Sequence, residues 1–366
     1  MKKYILSCMV LLGLTVVSCD SSEAVLSPSN LDRDRVESKI DLSNPNIKRI
    51  YTDFNVGILY EYDNVLDFAY TASTANQSKL WEQVEIHQIK TLFTDTSSIL
   101  GMGYKQYVNT AVEFLNTSLF SKFDPNGEIA TLMPYKVLIS ESIFSEKEVI
   151  GETSDVITTS EERFKSTPRY GLRTVYNNHS IVFSLNLDEI DGDEEEYTKD
   201  NFYILLSRII SMHNLDERLP NSFFAGKDVY YNQEIEPIYR EELNIGEDKR
   251  VDVIDKDWLF SKGFVDAQYF YNDSRGLRTY NQYYDEDGNR LPTRITHTKA
   301  IRPSYEFIKN RDNDVRSYLN ELIFRDADEI LAFPQNIQDN LKALYDLLTS
   351  LGVDLTAVNP ELSVFN

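Results

Sequence analysis

Cysteine is almost absent from the 366-residue chain: there are two, Cys8 and Cys19, both near the start. The body of the chain therefore has no disulfide framework, no thiolate metal ligand and no thiol nucleophile. Histidine is nearly as scarce. His87, His179, His213 and His297 are the only four, and none has another at the helical spacing that lets two imidazoles face one metal ion. The chain also lacks HExxH, a nucleophile elbow, a Gly-rich phosphate loop and any internal repeat. Basic residues are in deficit, 37 against 59 acidic ones, for a net charge of −22. That balance argues against nucleic acid and anionic membrane surfaces as partners. Carboxylates are plentiful, and a pair acting as a glycosidase stays open, because only separation in space defines such a pair.

What is present begins with the N-terminus. Lys2 and Lys3 precede an apolar run from Tyr4 to Val17. That run is shorter than the ~20 residues a membrane span needs, and it describes a secretory signal peptide. Val16, Val17 and Ser18 ahead of Cys19 resemble a bacterial lipobox. This predicts cleavage after residue 18 and acylation of Cys19, with each buried acyl CH₂ contributing about 0.8 kcal/mol to anchoring. Loss of Lys2 and Lys3 takes the net charge from −22 to −24. Residues 19–43 are rich in Ser, Asp, Glu, Asn and Arg and read as a flexible tether, with a folded domain over 44–366. The 23 tyrosines fit half-buried strand positions, with a glycan- or peptide-binding cleft as the alternative.

Periodicity places a short helix over Ile47–Phe54, a strand over Val56–Asp63, and helices over Ser78–Thr94 and Gly103–Leu119. The middle is strand-rich, over Tyr135–Ser140, Arg173–Tyr176 and Ser180–Leu187. Asp188–Tyr197 then reads as an acidic surface loop before a helix capped by Thr198 or Asp200. Tyr280–Ile295 reads as a hairpin turning at Asp287-Gly288. Asp285, Asp287 and Asn289 alternate as calcium loops do, but Arg290 stands where the tight loop wants glycine, so the turn reading comes first. The C-terminal third is helical, with Leu341, Leu344, Leu348 and Leu351 forming a stripe that stops at Gly352.

One helix carries the candidate site, "NFYILLSRIISMHN" from Asn201 to Asn214. Ser207, Ser211 and Asn214 stand at i, i+4 and i+7, on one face of an otherwise apolar segment, with Arg208 and His213 beside them. Buried serines at such positions commonly bond the carbonyl of the preceding turn.

Three further pieces carry a family resemblance. "NIKRIYTDFNVGILYEYD" near the start, "KDWLFSKGFV" at Lys256–Val265 and "LYDLLTSLGVDLTAV" at Leu344–Val358 occur in that order behind the lipobox. Together they resemble the Bacteroidetes lipoproteins called substrate import-associated zinc metallohydrolases, a zinc-binding metallopeptidase family. The resemblance implies an α+β, zincin-like fold with a small mixed sheet, N-terminal helices, a metal-site helix and a mostly helical C-terminal part. It also implies a lipid-anchored outer-membrane protein, on the cell surface or the periplasmic face. Its expected partners are a TonB-dependent transporter with its substrate-binding lipoprotein, and a peptide or glycan ligand.

The metal-site helix of that family carries HExxH, and the matching helix here does not. Ser207 and Ser211 take the histidine positions, Arg208 the glutamate, and Asn214 the place of a later histidine. A serine hydroxyl is a poor zinc ligand and arginine cannot act as a base. The expectation is thus a pseudoenzyme with no metal or other cofactor and no catalytic residue, in which Arg208 replaces the zinc charge and pairs with an acid such as Asp314. The alternatives are an active zinc hydrolase with a relocated site, using His213 or His179 with carboxylates, and a glycan-binding surface lipoprotein.

Overall fold

Alternation and helical stripes settle into an α+β arrangement in this computed structural model, which describes residues 36–69, 84–93, 98–145, 170–176, 180–246, 254–271, 277–284, 290–300, 303–308 and 310–365. The expected signal peptide, Cys19, His179 and the expected turn at Asp287-Gly288 lie outside the described residues. Of a first unit, Met1–Lys39, the structure describes a short turn at Glu37–Lys39; the compact body runs over Ile40–Asn366.

The body opens with α1 (Pro45–Phe54). Asn44 caps it by accepting from the amides of Asn46 and Ile47, Pro45 supplies a preset φ, and Ile47, Ile50 and Phe54 form the buried stripe. The chain then enters β1 (Gly57–Leu59) and leaves the sheet at Tyr60. Next come β2 (Val84–His87), α2 (Tyr104–Ser118), β3 (Lys136–Ser140), β4 (Ser142–Ser145), β5 (Tyr170–Leu172), β6 (Thr174–Tyr176) and β7 (Ser180–Ser184). The central sheet has the order β1-β3-β7-β6, with β1, β3 and β7 parallel and β6 antiparallel. Every residue of β1, β6 and β7 is buried, as expected of strands covered on both faces.

A second, antiparallel sheet has the order β2-β4-β5. It corrects the helix expected over Ser78–Thr94, since Val84–His87 is a strand. Ile86 pairs with Ile143 on β4, and both are buried; the cross-strand contact, distant in sequence, outweighs the local helical spacing.

After β7 come α3 (Leu187–Ile190) and α4 (Glu194–His213). The acidic segment is therefore mostly helical rather than a loop. Asp193 is the N-cap, and Glu194, Glu195 and Glu196 occupy the first turn, where the helix dipole favours them. Thr198 and Asp200 fall inside the helix, so neither caps it.

Then follow α5 (Ile235–Glu242), α6 (Lys256–Ser261), β8 (Gln268–Tyr271), β9 (Leu277–Tyr284), β10 (Arg290–Ala300), β11 (Pro303–Phe307), α7 (Arg311–Phe324), α8 (Ala327–Ala332) and α9 (Gln335–Leu351). β9 and β10 pair antiparallel, as the hairpin reading expects. Leu341, Leu344, Leu348 and Leu351 are buried, and Gly352 ends α9 at φ +99°. α7 packs between α4 and α9. Among the described residues no helix is long and apolar enough to cross a membrane.

Candidate functional site

α4 is the longest helix among the described residues, with Phe202, Ile204, Leu205, Leu206, Ile209 and Ile210 in the core. Asn201 ties it to the sheet by accepting from the Thr174 hydroxyl, and its own amide donates to the Tyr197 carbonyl at 2.9 Å. The seam faces the start of α7. Ser207 is 1% exposed, and its hydroxyl makes no hydrogen bond among the described residues, contrary to the expected bond to the preceding turn. Arg208 lays its guanidinium over the Tyr176 ring, 5.0 Å from its centre. Ser211 hydrogen-bonds Asp312, which Arg316 approaches to 3.4 Å.

Burial pushes the Asp312 carboxyl up, with Arg316 acting against the shift. Burial also pulls the Arg208 guanidinium down, against the attraction of Tyr176 and Asp312. The acid whose charge reaches Arg208 is thus Asp312. Asp314, the partner expected from sequence, is held elsewhere: Lys227 Nζ lies 2.9 Å from its Oδ2, and the Tyr231 hydroxyl donates to the same oxygen at 2.8 Å. The helical turn explains the difference. Asp312 and Arg316 share one face of α7, while Asp314 points some 160–200° away, into a cage formed by Phe223, Phe264 and Tyr318, whose ring centres lie 4.5, 5.0 and 4.8 Å from Lys227 Nζ.

A cavity of about 260 Å³ is lined by Tyr203 of α4 and by Asp314, Arg316, Asn320 and Glu321 of α7 among others, and shares Arg316 with this seam. Tyr203 stands one turn before Ser207 on α4.

The remaining candidates lie apart. Asn214 adopts φ +49° and is the C-cap, so the helix ends before it can share the serine face. His213 is exposed and bonds the Leu132 carbonyl through Nε2 at 3.0 Å. His87 has richer company than the sequence suggested. Its Nε2 lies 2.7 Å from Glu85, and its Nδ1 lies 3.4 Å from the Ser142 hydroxyl on the neighbouring strand. That hydroxyl, however, donates to Glu141, so its proton is not aimed at the imidazole as a serine nucleophile requires. Lys227 and Tyr231 were missed in the sequence, although a lysine amid Phe223, Phe224, Tyr230 and Tyr231 is itself a signal of an aromatic cage.

A zinc ion does not fit the seam. Two hydroxyls, two guanidinium cations and one carboxylate neither supply the nitrogen or multiple oxygen donors that zinc takes nor tolerate its charge. Among the described residues no group of three or more His, Cys, Asp or Glu could hold a metal ion. Comparison of the chain with protein-family models, with curated proteins and with solved structures returns no match.

Proposed function

We propose that the chain is a lipid-anchored outer-membrane protein with a zincin-like body that no longer catalyses. It holds a substrate or partner beside a TonB-dependent transporter and that transporter's substrate-binding lipoprotein. The observation that carries this reading is the chemistry of the α4 seam. At the two positions one turn apart where the resembling family has histidines stand Ser207 and Ser211, and Arg208 at the glutamate position is engaged with Tyr176. A polar cavity shares Arg316 with this seam, which suits a protein that binds without those catalytic ligands. The order of a mixed sheet, a buried helix following its last strand and a helical C-terminal part agrees with the zincin-like reading.

Metal analysis of the purified full chain tests it. The expected result is substoichiometric zinc. The combined substitution Ser207→His, Arg208→Glu and Ser211→His is expected to take up one zinc per chain, because it restores two imidazoles to one helix face. One tightly bound zinc per chain in the unaltered protein, with peptidase activity, would overturn the reading.

A further inference from the structure

The carboxyl end of β1 has its own cavity, of about 160 Å³. That is below the roughly 300–1,000 Å³ of clefts that enclose drug-sized ligands, and it suits one ring of a longer chain. Tyr60 and Glu61 directly follow β1, Tyr104 and Asn109 come from the first turns of α2, and Asp41 precedes α1.

The cavity is braced before any ligand arrives. The Tyr60 and Tyr104 rings meet edge to face at 6.3 Å, and Phe93 backs Tyr104 from another side at 5.6 Å. Each phenol is held by a carboxylate: Tyr60 donates to Asp41 at 2.8 Å and Tyr104 to Glu61 at 2.9 Å. Hydrogen bonds from Ser43 and Tyr60 hold Asp41 below the usual carboxylate range. Burial, with Asp41 beside it, pushes Tyr60 up to about 12. At neutral pH one group therefore stays an acceptor and the other keeps its proton. The Asn44 amide donates to Asn109 at 2.7 Å, fixing that side chain at the rim.

We infer that this cavity binds one pyranose ring of a neutral glycan. A pyranose has an apolar C–H face and a rim of hydroxyls. The tyrosine rings offer an apolar surface with polar tips for the face. Glu61 is exposed and, like any carboxylate, has about four lone-pair sites, so it can accept from hydroxyls while still holding Tyr104. Two carboxylates against the single ammonium of Lys105 disfavour an anionic ligand. The location agrees, since ligands of open sheets with parallel strands gather beyond the strands' carboxyl ends. Rings already fixed by packing lose little freedom on binding, which favours a weak but specific subsite. The residues are different from those of the α4 seam, so this inference stands or falls separately from the proposed function.

The test is affinity electrophoresis of the full-length protein through native gels containing starch, mixed-linkage β-glucan, xylan or mannan, with polygalacturonate as the anionic arm. At least one neutral polysaccharide is expected to retard the protein. Tyr104→Ala and Glu61→Ala are each expected to weaken apparent binding about tenfold, while Leu331→Ala, at an exposed position on α8, leaves it unchanged. Glu61 is exposed, so its variant keeps the test valid if loss of Tyr104 disturbs folding. Absence of retardation by every neutral polysaccharide, retardation by polygalacturonate alone, retardation that survives both substitutions, or its loss in Leu331→Ala would each overturn the inference.

Discussion

Lys227 and Asp314 show how much a single pair of residues can decide. Both are almost fully buried, and burial pushes the lysine down and the carboxyl up while their mutual attraction opposes both shifts. Removing one partner leaves the other as an uncompensated buried charge, which costs about 3–5 kcal/mol. Lys227→Met should lose that much in urea unfolding, and Lys227→Met with Asp314→Leu should recover most of it. Asp200 supplies the pH dependence. Burial raises its carboxyl to about 6, with Arg173 acting against the shift. A raised carboxyl stabilises the fold below the unfolded value, and that contribution is lost as pH rises through the folded one. The stability of Asp200→Asn relative to the unaltered protein should therefore increase between about pH 4 and about pH 7, as read by urea unfolding at both ends of the range.

At the scale of elements, the close crossing of two glycines joins α9 to the segment after α2. A Cβ on Gly127 would stand 2.7 Å from the Leu351 carbonyl oxygen, and one on Gly352 would stand 3.0 Å from the Gly127 Cα. Gly352 also needs its left-handed φ of +99°, whereas Gly127 has no such need. Gly127→Ala thus isolates the cost of contact. It should destabilise by about 1–3 kcal/mol, the range of an overpacked interior, and Gly352→Ala should add backbone strain to a similar clash. Leu344→Ala, in the centre of the α9 stripe, should cost about 2–5 kcal/mol. Thermal unfolding of the three variants checks all of these. The helices at both ends of the body were legible because their stripes and caps are local: Asn44 and Pro45 for α1, and the leucines and Gly352 for α9. The β2 strand was not, because its reason for being a strand is Ile143, more than fifty residues away.

The whole molecule is strongly acidic, and Cys19, with the run that resembles a lipobox, precedes the body. If Cys19 anchors the chain, Cys19→Ser should move it from the membrane fraction to the soluble fraction without changing the unfolding of the body. Cell fractionation and surface-protease accessibility read this directly. A chain that stays in the soluble fraction with Cys19 intact would remove the anchor, and with it the import reading.

By itself the sequence determined the chemistry that is missing: no cysteine beyond Cys8 and Cys19, no two histidines at helical metal spacing, and no HExxH. It also determined the α+β character, since strand alternation and helical stripes are local patterns. Only the tertiary structure decided which charges meet. Asp312 faces Arg208 while Asp314 turns to Lys227, because the helical repeat separates two nearby residues onto opposite faces and only packing says what each face meets. The same holds for Asp41, Tyr60, Glu61 and Tyr104. Nothing in their order predicts a common cavity, because Tyr104 reaches Glu61, 43 residues earlier, only where the start of α2 lies beside the end of β1.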